Sequence, residues 1–582
     1  MGNMSTMQRQ PVGSASLQMS AGAASGRTTD QPQIEEAILV VKEHAREFAR
    51  LAARAKADLL RACLARLLAE APAWVSEGAR MRGAEPGEEW LAGPVATIRL
   101  FRLLSQSLDA VAADGKPPLG RGLRHRPDGR IEISLFPASK LDALAFRGFS
   151  GHALMSAGVT QAGARDRQAA FYGEREPDGG VSVILGAGNV SSIPPMDVAT
   201  KMFIGGFVCV LKMNPVNEWL GPFLERALLP LVSRGSLRIV YGGADVGSYL
   251  AHHPLVSDIH ITGSDRTHDL IVFGPAGPER DRRIREHDPF LRIPISSELG
   301  NVSPVALVPY DYSPDELWFM ARNVVSMVVN NGSFNCNAAK MLVTAKGWAH
   351  RDRFLALVAK GLTAAPTRKA YYPGAFDRYR ALTAGQRVET FGQGTAAALP
   401  WTLIRGLDAS EDQALFRTEP FCGILSETSV GSSDPVEFLA VATRFMNDTL
   451  WGSLNAMLFV HPRLERNATV AAAVDRAIVD LRYGTVGINH WPALGYAWGT
   501  LPWGGHPSAT LSNIQSGLGW VHNSFMLDGV DKAVVRGPLT VSPSPTWFFD
   551  SPKGARLGPG LADMEASPSW LKLPGLLARA LT

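Results

Sequence analysis

The sequence predicts an α/β protein with a doubly wound parallel sheet, a second α/β unit after it, and a helical N-terminal region. Three observations carry this. Short apolar runs alternate with helical stretches from residue 181 to residue 261, the pattern of a parallel sheet with crossover helices. A second run of the same kind begins near Pro304. Residues 35–71 are strong helix formers, with Phe48, Leu51, Ala55, Leu59, Leu60, Cys63, Leu64, Leu67 and Leu68 at helical spacing.

Taken in order, residues 1–32 are rich in Ser, Gly, Gln, Thr and Met and read as a disordered tail. Met1 to Thr6 fits a loose myristoylation pattern, or is simply part of that polar tail. Residues 33–149 form the helical region: one long amphipathic helix or a helical pair, with Pro72 as a natural stop, then a second helical stretch over 90–112. Residues 130–136 alternate with period two and read as a strand. Within 150–303, strands are expected at 181–185, 207–211, 237–241 and 259–261, with helices at 195–203, 220–232 and 246–252. Within 304–483, a strand at 305–308, a helix at 314–329 and a strand at 339–343 open the second unit. Residues 484–582 hold a Gly/Trp/Pro-rich segment, then a Pro/Ser-rich tail from about Pro543.

Composition narrows the function. The 582 residues are 46% apolar and 19% charged, enough for a large core. The net charge of +4 is small and its basic residues alternate with acidic ones, so no nucleic-acid partner is expected. The four cysteines include no CxxC pair, which argues against a metal site or a disulfide framework and for a reducing, cytoplasmic setting. No apolar run is long enough to span a membrane, and the start lacks the layout of a signal peptide.

Four segments carry candidate chemistry. Gly186-Ala187-Gly188-Asn189-Val190-Ser191 lies between a strand and a helix. It is a partial GxGxxG fingerprint, weak by itself. The next strand ends in Lys212, which suits a ribose or phosphate, or is an ordinary solvated strand end. Thr262-Gly263-Ser264 runs from a strand into a helix, where backbone N–H groups bind phosphate or a serine merely caps the helix. Glu298, after Ile293-Pro294-Ile295, is read in a half-buried turn, as a general base or a surface turn residue. Cys336 stands in Asn335-Cys336-Asn337, between a helix and a strand, among amides and glycine. Cys63 and Cys209 have apolar neighbours and Cys422 sits in a packed turn, so Cys336 is the reactive candidate, or an inert loop thiol.

In this order the segments resemble the aldehyde dehydrogenase superfamily, over about residues 175–510. His253-Pro254, Glu298-Leu299-Gly300, Glu419-Pro420-Phe421, Ile488-Asn489 and Leu501-Pro502-Trp503-Gly504-Gly505 extend the series. The resemblance implies an aldehyde dehydrogenase-like fold, a doubly wound cofactor domain with an α/β catalytic domain, and NAD or NADP as cofactor. It implies that Cys336 attacks the aldehyde carbon, that Asn189 and the Cys336 N–H hold the oxyanion, and that Glu298 activates water. Lys212 and Glu419 would hold ribose hydroxyls, Gly263 and Ser264 would meet the pyrophosphate, and Phe421 would pack near the nicotinamide ribose. It also implies a homodimer or homotetramer built partly by the 130–136 strand.

Departures from the family's pattern are specific. Pro215 replaces the acidic residue usual three places after the cofactor lysine, which admits NADP. His268 stands where a glycine is usual, Val198 where a second lysine is usual, and residues 275–289 are a polar insertion. Two rival readings stay open: a CoA-dependent acyl reductase using the same cysteine, and a non-catalytic scaffold on the same fold. Trp491, Tyr496, Trp498 and Trp503 suggest an aromatic-lined entrance for a bulky aldehyde, or simply packed rings.

Overall fold

A computed structural model describes residues 26–581; the N-terminal myristoylation pattern and most of the expected disordered tail lie outside them. Five strands form one parallel sheet in the order Leu237–Val240, Val208–Lys212, Val181–Leu185, Asp258–Gly263, Ile295–Leu299. Every residue of Val181–Leu185 and of Val208–Lys212 is buried. Parallel strands covered on both faces need such continuous apolar runs. The helix Ile193–Phe203, buried along nearly its whole length, follows the first of these strands.

The second sheet has eleven strands. Its parallel centre runs Thr485–Ile488, Asn455–Phe459, Pro304–Leu307, Met341–Ala345, Ile424–Val430 and Trp401–Leu407. At one side Val530–Arg536 adds in parallel to Thr485–Ile488, and an antiparallel extension then adds Ser150–Met155, Ile131–Phe136 and Gly122–His125. The 130–136 strand expected from the sequence is thus paired within its own chain, Ile133 opposite Ala153.

The two sheets are joined by a short buried crossing. Ile295–Leu299 ends the first and Pro304–Leu307 begins the second sheet's share of the chain. Gly300 to Ser303 between them are all buried. Apart from Asn301 Oδ1, which is buried without a partner, polar groups here are paired across the chain: Ser516 Oγ donates to the Gly300 carbonyl at 2.8 Å, Val302 N donates to Trp451 O at 2.9 Å, and Asn301 Nδ2 donates to Asn455 O at 2.7 Å. The chain also returns from the far end. Ser297 N donates to Leu518 O and Leu299 N to Ser516 O, so residues 516–518 close the open edge of the first sheet.

Several sequence expectations are corrected. Pro72 does not end a helix: Ala53–Arg82 runs through it. The lost backbone bond is outweighed by tertiary contacts beyond it, where Trp74, Val75, Gly78 and Ala79 are buried. The 220–232 helix is broken, into Gly221–Ala227 and Leu229–Val232, because Leu228 leaves helical geometry just ahead of Pro230. The polar insertion is the helix Pro278–Glu286, laced by Arg282 to Glu279 and Glu286. Glu298 lies in a strand, fully buried, rather than in a half-buried turn. The residues from Pro543 are not simply a tail: Lys553–Ala566 and Leu573–Leu581 are helices, and the first buries Leu557, Ala562 and Met564. No helix among the described residues is long and apolar enough to cross a membrane.

The C-terminal helix meets the N-terminal helices backbone to backbone. A Cβ on Gly87 would lie 2.6 Å from Ala555 N, and one on Gly558 would overlap the Trp90 ring. Gly558→Ala is therefore expected to cost about 1–3 kcal/mol through overpacking, read as a lower urea midpoint. A midpoint equal to wild type would show that this helix does not dock on Trp90.

Candidate active site

The site lies where the carboxyl ends of the first sheet's strands, the place at which open α/β sheets bind ligands, meet loops at the amino ends of the second sheet's strands. Glu298 comes from the edge strand of the first sheet, opposite Thr262 in register. Cys336 comes from the loop between the helix Pro314–Val329 and the strand Met341–Ala345 of the second. The Sγ of Cys336 lies 3.0 Å from Glu298 Oε1. Cys336 is half-buried, whereas Cys63, Cys209 and Cys422 are buried.

The electrostatics follow from this placement. Burial pushes the Glu298 carboxyl up to about 7; the Cys336 thiol and the Trp503 indole N–H favour its charged form, while the Asp197 carboxylate opposes it. Burial, and then the Glu298 charge, hold the Cys336 thiol well above its ordinary value. The proton of the pair thus rests on sulfur while the carboxylate can be charged, so Glu298 is placed to receive it.

The cysteine loop is strained on purpose of its sequence. Asn331, Gly332 and Ser333 all take left-handed φ, at 51°, 64° and 69°. Glycine tolerates this freely and asparagine readily; serine does not. Lys340 Nζ holds Ser333 in place, donating to its carbonyl at 2.8 Å and its hydroxyl at 2.9 Å. Asn189, buried in the loop after the first sheet's central strand, donates from Nδ2 to Phe334 O at 2.9 Å. Its own carbonyl accepts from Asn331 Nδ2 at 2.9 Å and Tyr371 Oη at 3.1 Å. Asn189 is thereby tied to the cysteine loop, with one of its two amide N–H groups used on that loop.

Lys212 ends its strand buried, and burial lowers its ammonium to about 8, with Asp245 as the nearest opposing charge. The Lys212 carbonyl accepts from Gly186 N at 3.1 Å. Gly263 and Ser264 are exposed at the start of the helix Asp265–Phe273, and the Ser264 hydroxyl accepts from Thr267 N as its cap. Glu419 rests on Gly300, whose missing side chain leaves the space its carboxylate occupies. Burial pushes Glu419 up, against the pull of the Lys340 charge, and its Oε1 is buried without a partner. Phe421, at φ 43°, is held by Arg378, which donates to the carbonyls of Pro420 and Phe421. A buried lysine at a strand end and a buried carboxylate oxygen without a partner fit a ligand carrying hydroxyls, such as the riboses of a dinucleotide.

Sequence reasoning missed a further wall of the site. Glu88, from the short helix Pro86–Trp90, accepts from Asn331 N at 3.3 Å and pairs with Arg368 at 2.7 Å. Next to it, buried Glu89 pairs with Arg82 at 2.5 Å and bonds to Ser191 and to Trp74 Nε1. The N-terminal helices therefore grip both the Asn189 loop and the cysteine loop. The signal in sequence was slight: two adjacent glutamates in a helical stretch look like a solvated face.

No family model matches the chain, and no curated protein does. Solved structures do match. Betaine aldehyde dehydrogenase from Staphylococcus aureus, solved with NAD+, is 15% identical, with 90% of this chain and 91% of that one covered and a TM-score of 0.60. Indole-3-acetaldehyde dehydrogenase from P. syringae, solved with NAD+ and IAA, is 18% identical, covering 87% and 89%, with a TM-score of 0.59. The NADP-dependent glyceraldehyde-3-phosphate dehydrogenase of Bacillus halodurans, solved with NADP, is 16% identical, covering 87% and 92%, with a TM-score of 0.57. The chain has the aldehyde dehydrogenase fold.

With one half-buried thiol and three buried ones, iodoacetamide is expected to label the native protein at a single site, lost in Cys336→Ala. Because that thiol is held well above 9, the labelling rate should still be rising at pH 9. Labelling of two or more sites, or a rate already level at pH 8, contradicts this geometry.

Proposed function

We propose that this chain, built on the aldehyde dehydrogenase fold, oxidises an aldehyde to a carboxylic acid with NAD or NADP, using Cys336 as nucleophile. The observation that carries the reading is the 3.0 Å contact between Cys336 Sγ and Glu298 Oε1 at the mouth of a parallel-sheet crevice. In this reading residues 150–303 hold the cofactor, residues 304–483 supply the thiol, and residues 484–582 return to complete the crevice.

Glu298 takes the thiol proton as Cys336 sulfur bonds to the aldehyde carbon, giving a thiohemiacetal. The Cys336 backbone N–H and the remaining amide N–H of Asn189 hold the oxygen that becomes negative, where fixed donors act most strongly. When bound, the nicotinamide supplies the hydride acceptor. Lys212 and Glu419 hold ribose hydroxyls, Gly263 and Ser264 present the helix start to the pyrophosphate, and Phe421 flanks the nicotinamide ribose. Glu298 first gives up the thiol's proton to solvent and then takes one from water as that water attacks the thioester; the C–S bond breaks, the acid leaves, and its ionising proton restores the thiol. Asn214 and Pro215 follow Lys212 without an acidic side chain to repel a 2′-phosphate, which supports use of NADP.

Screened against aldehydes with each cofactor, Cys336→Ala should have no turnover. Glu298→Gln should slow both the burst of reduced cofactor, because the thiol loses its proton acceptor, and the steady-state rate, by about 100-fold or more. Turnover by Cys336→Ala removes the mechanism, and turnover that requires added CoA replaces water by a thiol as the acceptor.

The Lys212 ammonium, lowered to about 8, is cationic below that pH and neutral above it. Cofactor affinity should therefore be greatest below pH 8 and weaken as pH rises through it. Lys212→Met should bind more weakly and lose this dependence; a titration of Lys212→Met with the wild-type pH profile would assign the cation elsewhere.

A further inference from the structure

Beside Glu298, reached through Thr262 opposite it in register, lies a set of buried polar groups that the mechanism above does not use. Asp197 projects from the helix Ile193–Phe203 and is 1% exposed. Its Oδ2 accepts from Thr262 Oγ1 at 3.1 Å and lies 3.5 Å from His260 Nε2. The other nitrogen of His260, Nδ1, lies 2.9 Å from Ser296 Oγ. Ser296 is half-exposed, so the chain of contacts leads outward.

Four buried polar atoms in this region have no hydrogen-bond partner: Asp197 Oδ1, both ring nitrogens of His522, and the Trp503 indole nitrogen. The Trp503 N–H is aimed at Glu298 but outside hydrogen-bonding geometry. The His522 ring packs edge-on against Tyr496 at 4.4 Å, and the Asp197 charge reaches it. Buried polar groups are almost always satisfied by protein or by ordered water. Four orphans around one carboxylate mark a place for bridging water.

We propose that Asp197 and His260 form a proton path from Glu298 to the surface at Ser296, through water held by His522 and Trp503. The proposal rests on Glu298 being the base that deacylates Cys336. As attacking water bonds to the acyl carbon, its proton passes to Glu298, and the C–S bond breaks to leave the thiolate. The acid product ionises, and its proton restores the thiol. The proton on Glu298 moves through bridging water to Asp197, then to His260 Nε2, and leaves from Nδ1 by way of Ser296. No oxidant or reductant is needed. Asp197 and His260 touch no reacting atom; they position and move the proton.

The groups facing Glu298 decide how its titration responds. Asp197 raises it and the Cys336 thiol lowers it. Tyr496 feels the charges of Asp197, Glu298 and Cys336, and burial holds its hydroxyl well above its usual range, so it is neutral. Burial lowers His522 to about 4, so it too is neutral near pH 7. Removing the Asp197 charge must therefore lower the Glu298 pKa, whereas replacing neutral His522 must leave it in place.

The test uses p-nitrophenyl acetate, which needs neither the cofactor nor the true aldehyde. Acylation of Cys336 releases p-nitrophenolate as a burst, and hydrolysis sets the steady state. Asp197→Asn should keep the burst, slow the steady state by about tenfold, and move its acid limb down by about one pH unit. His522→Asn suits the left-handed φ of 58° at that position. It should also keep the burst and slow the steady state, with the acid limb unmoved. A steady state unchanged in both variants, or burst and steady state falling in parallel, overturns the proton path while the cysteine mechanism stands. A wild-type burst that survives Cys336→Ala overturns the underlying reading and the path with it.

Discussion

Everything at the site depends on holding two sheets in one fixed relation. The carboxylate of Glu298 belongs to the first sheet and the thiol of Cys336 to a loop of the second, and their 3.0 Å contact exists only if neither sheet slides. The buried crossing over residues 300–303 supplies that constraint. A polar backbone buried between two layers must satisfy its hydrogen bonds locally, and here the partners come from distant segments, Trp451, Asn455 and Ser516. Each bond fixes the crossing to a different part of the chain. Gly300 adds a steric condition, because any Cβ there would meet the Glu419 carboxylate. Glu298, Gly300 and Glu419 are thus set by one piece of backbone.

What the sequence made legible was local. Strands apolar on both faces, such as Val181–Leu185, and a helix with its own capping box, such as Pro314–Val329 begun by Ser313 and Glu316, announce themselves within a few residues. The order of Asn189, Lys212, Ser264, Glu298, Cys336 and Glu419 was legible because each lies at or beside the end of a strand or helix, where the sequence changes character. What stayed hidden was tertiary. Pro72 signals a stop, and nothing nearby shows that Trp74 will be fully buried two residues later. Lys553–Ala566 reads as part of a Pro/Ser-rich tail because its reason to be a helix lies more than 450 residues back, at Gly87 and Trp90. The cluster of Asp197, His260 and His522 was invisible for the same reason: its members lie on separate elements and share no spacing.

The N-terminal helices show how a segment without chemistry of its own can decide chemistry. Glu88 satisfies a backbone N–H at Asn331, the first of three left-handed residues. Such a run stores strain that must be offset by bonds around it. Those bonds come from Glu88 on one side and Lys340 on the other, so the reactive loop is clamped between the N-terminal region and the second sheet. Glu89, Trp74 and Arg82 perform the same service for the Asn189 loop through Ser191 and Asn217. A nucleophile and its oxyanion donors must keep their relation within a fraction of an ångström, and a single helical wall touching both loops is an economical way to keep it.

The same burial that tunes Glu298 also creates a difficulty for it. A carboxyl raised to about 7 is a strong enough base to take a proton from water and weak enough to lose it again near neutral pH. Yet a group with 2% exposure cannot lose a proton directly to solvent. In the proposed mechanism the acyl group sits on the thiol side of Glu298 during hydrolysis, so a route past Cys336 would be blocked at the moment it is needed. Asp197, with His260 and His522 near it, is the carboxylate whose charge reaches Glu298, and that charge is itself one of the reasons Glu298 stays high. Removing that carboxylate to ease the pKa would remove the acceptor as well. Base strength and proton exit are therefore set by one residue, and a change in either must show in the other.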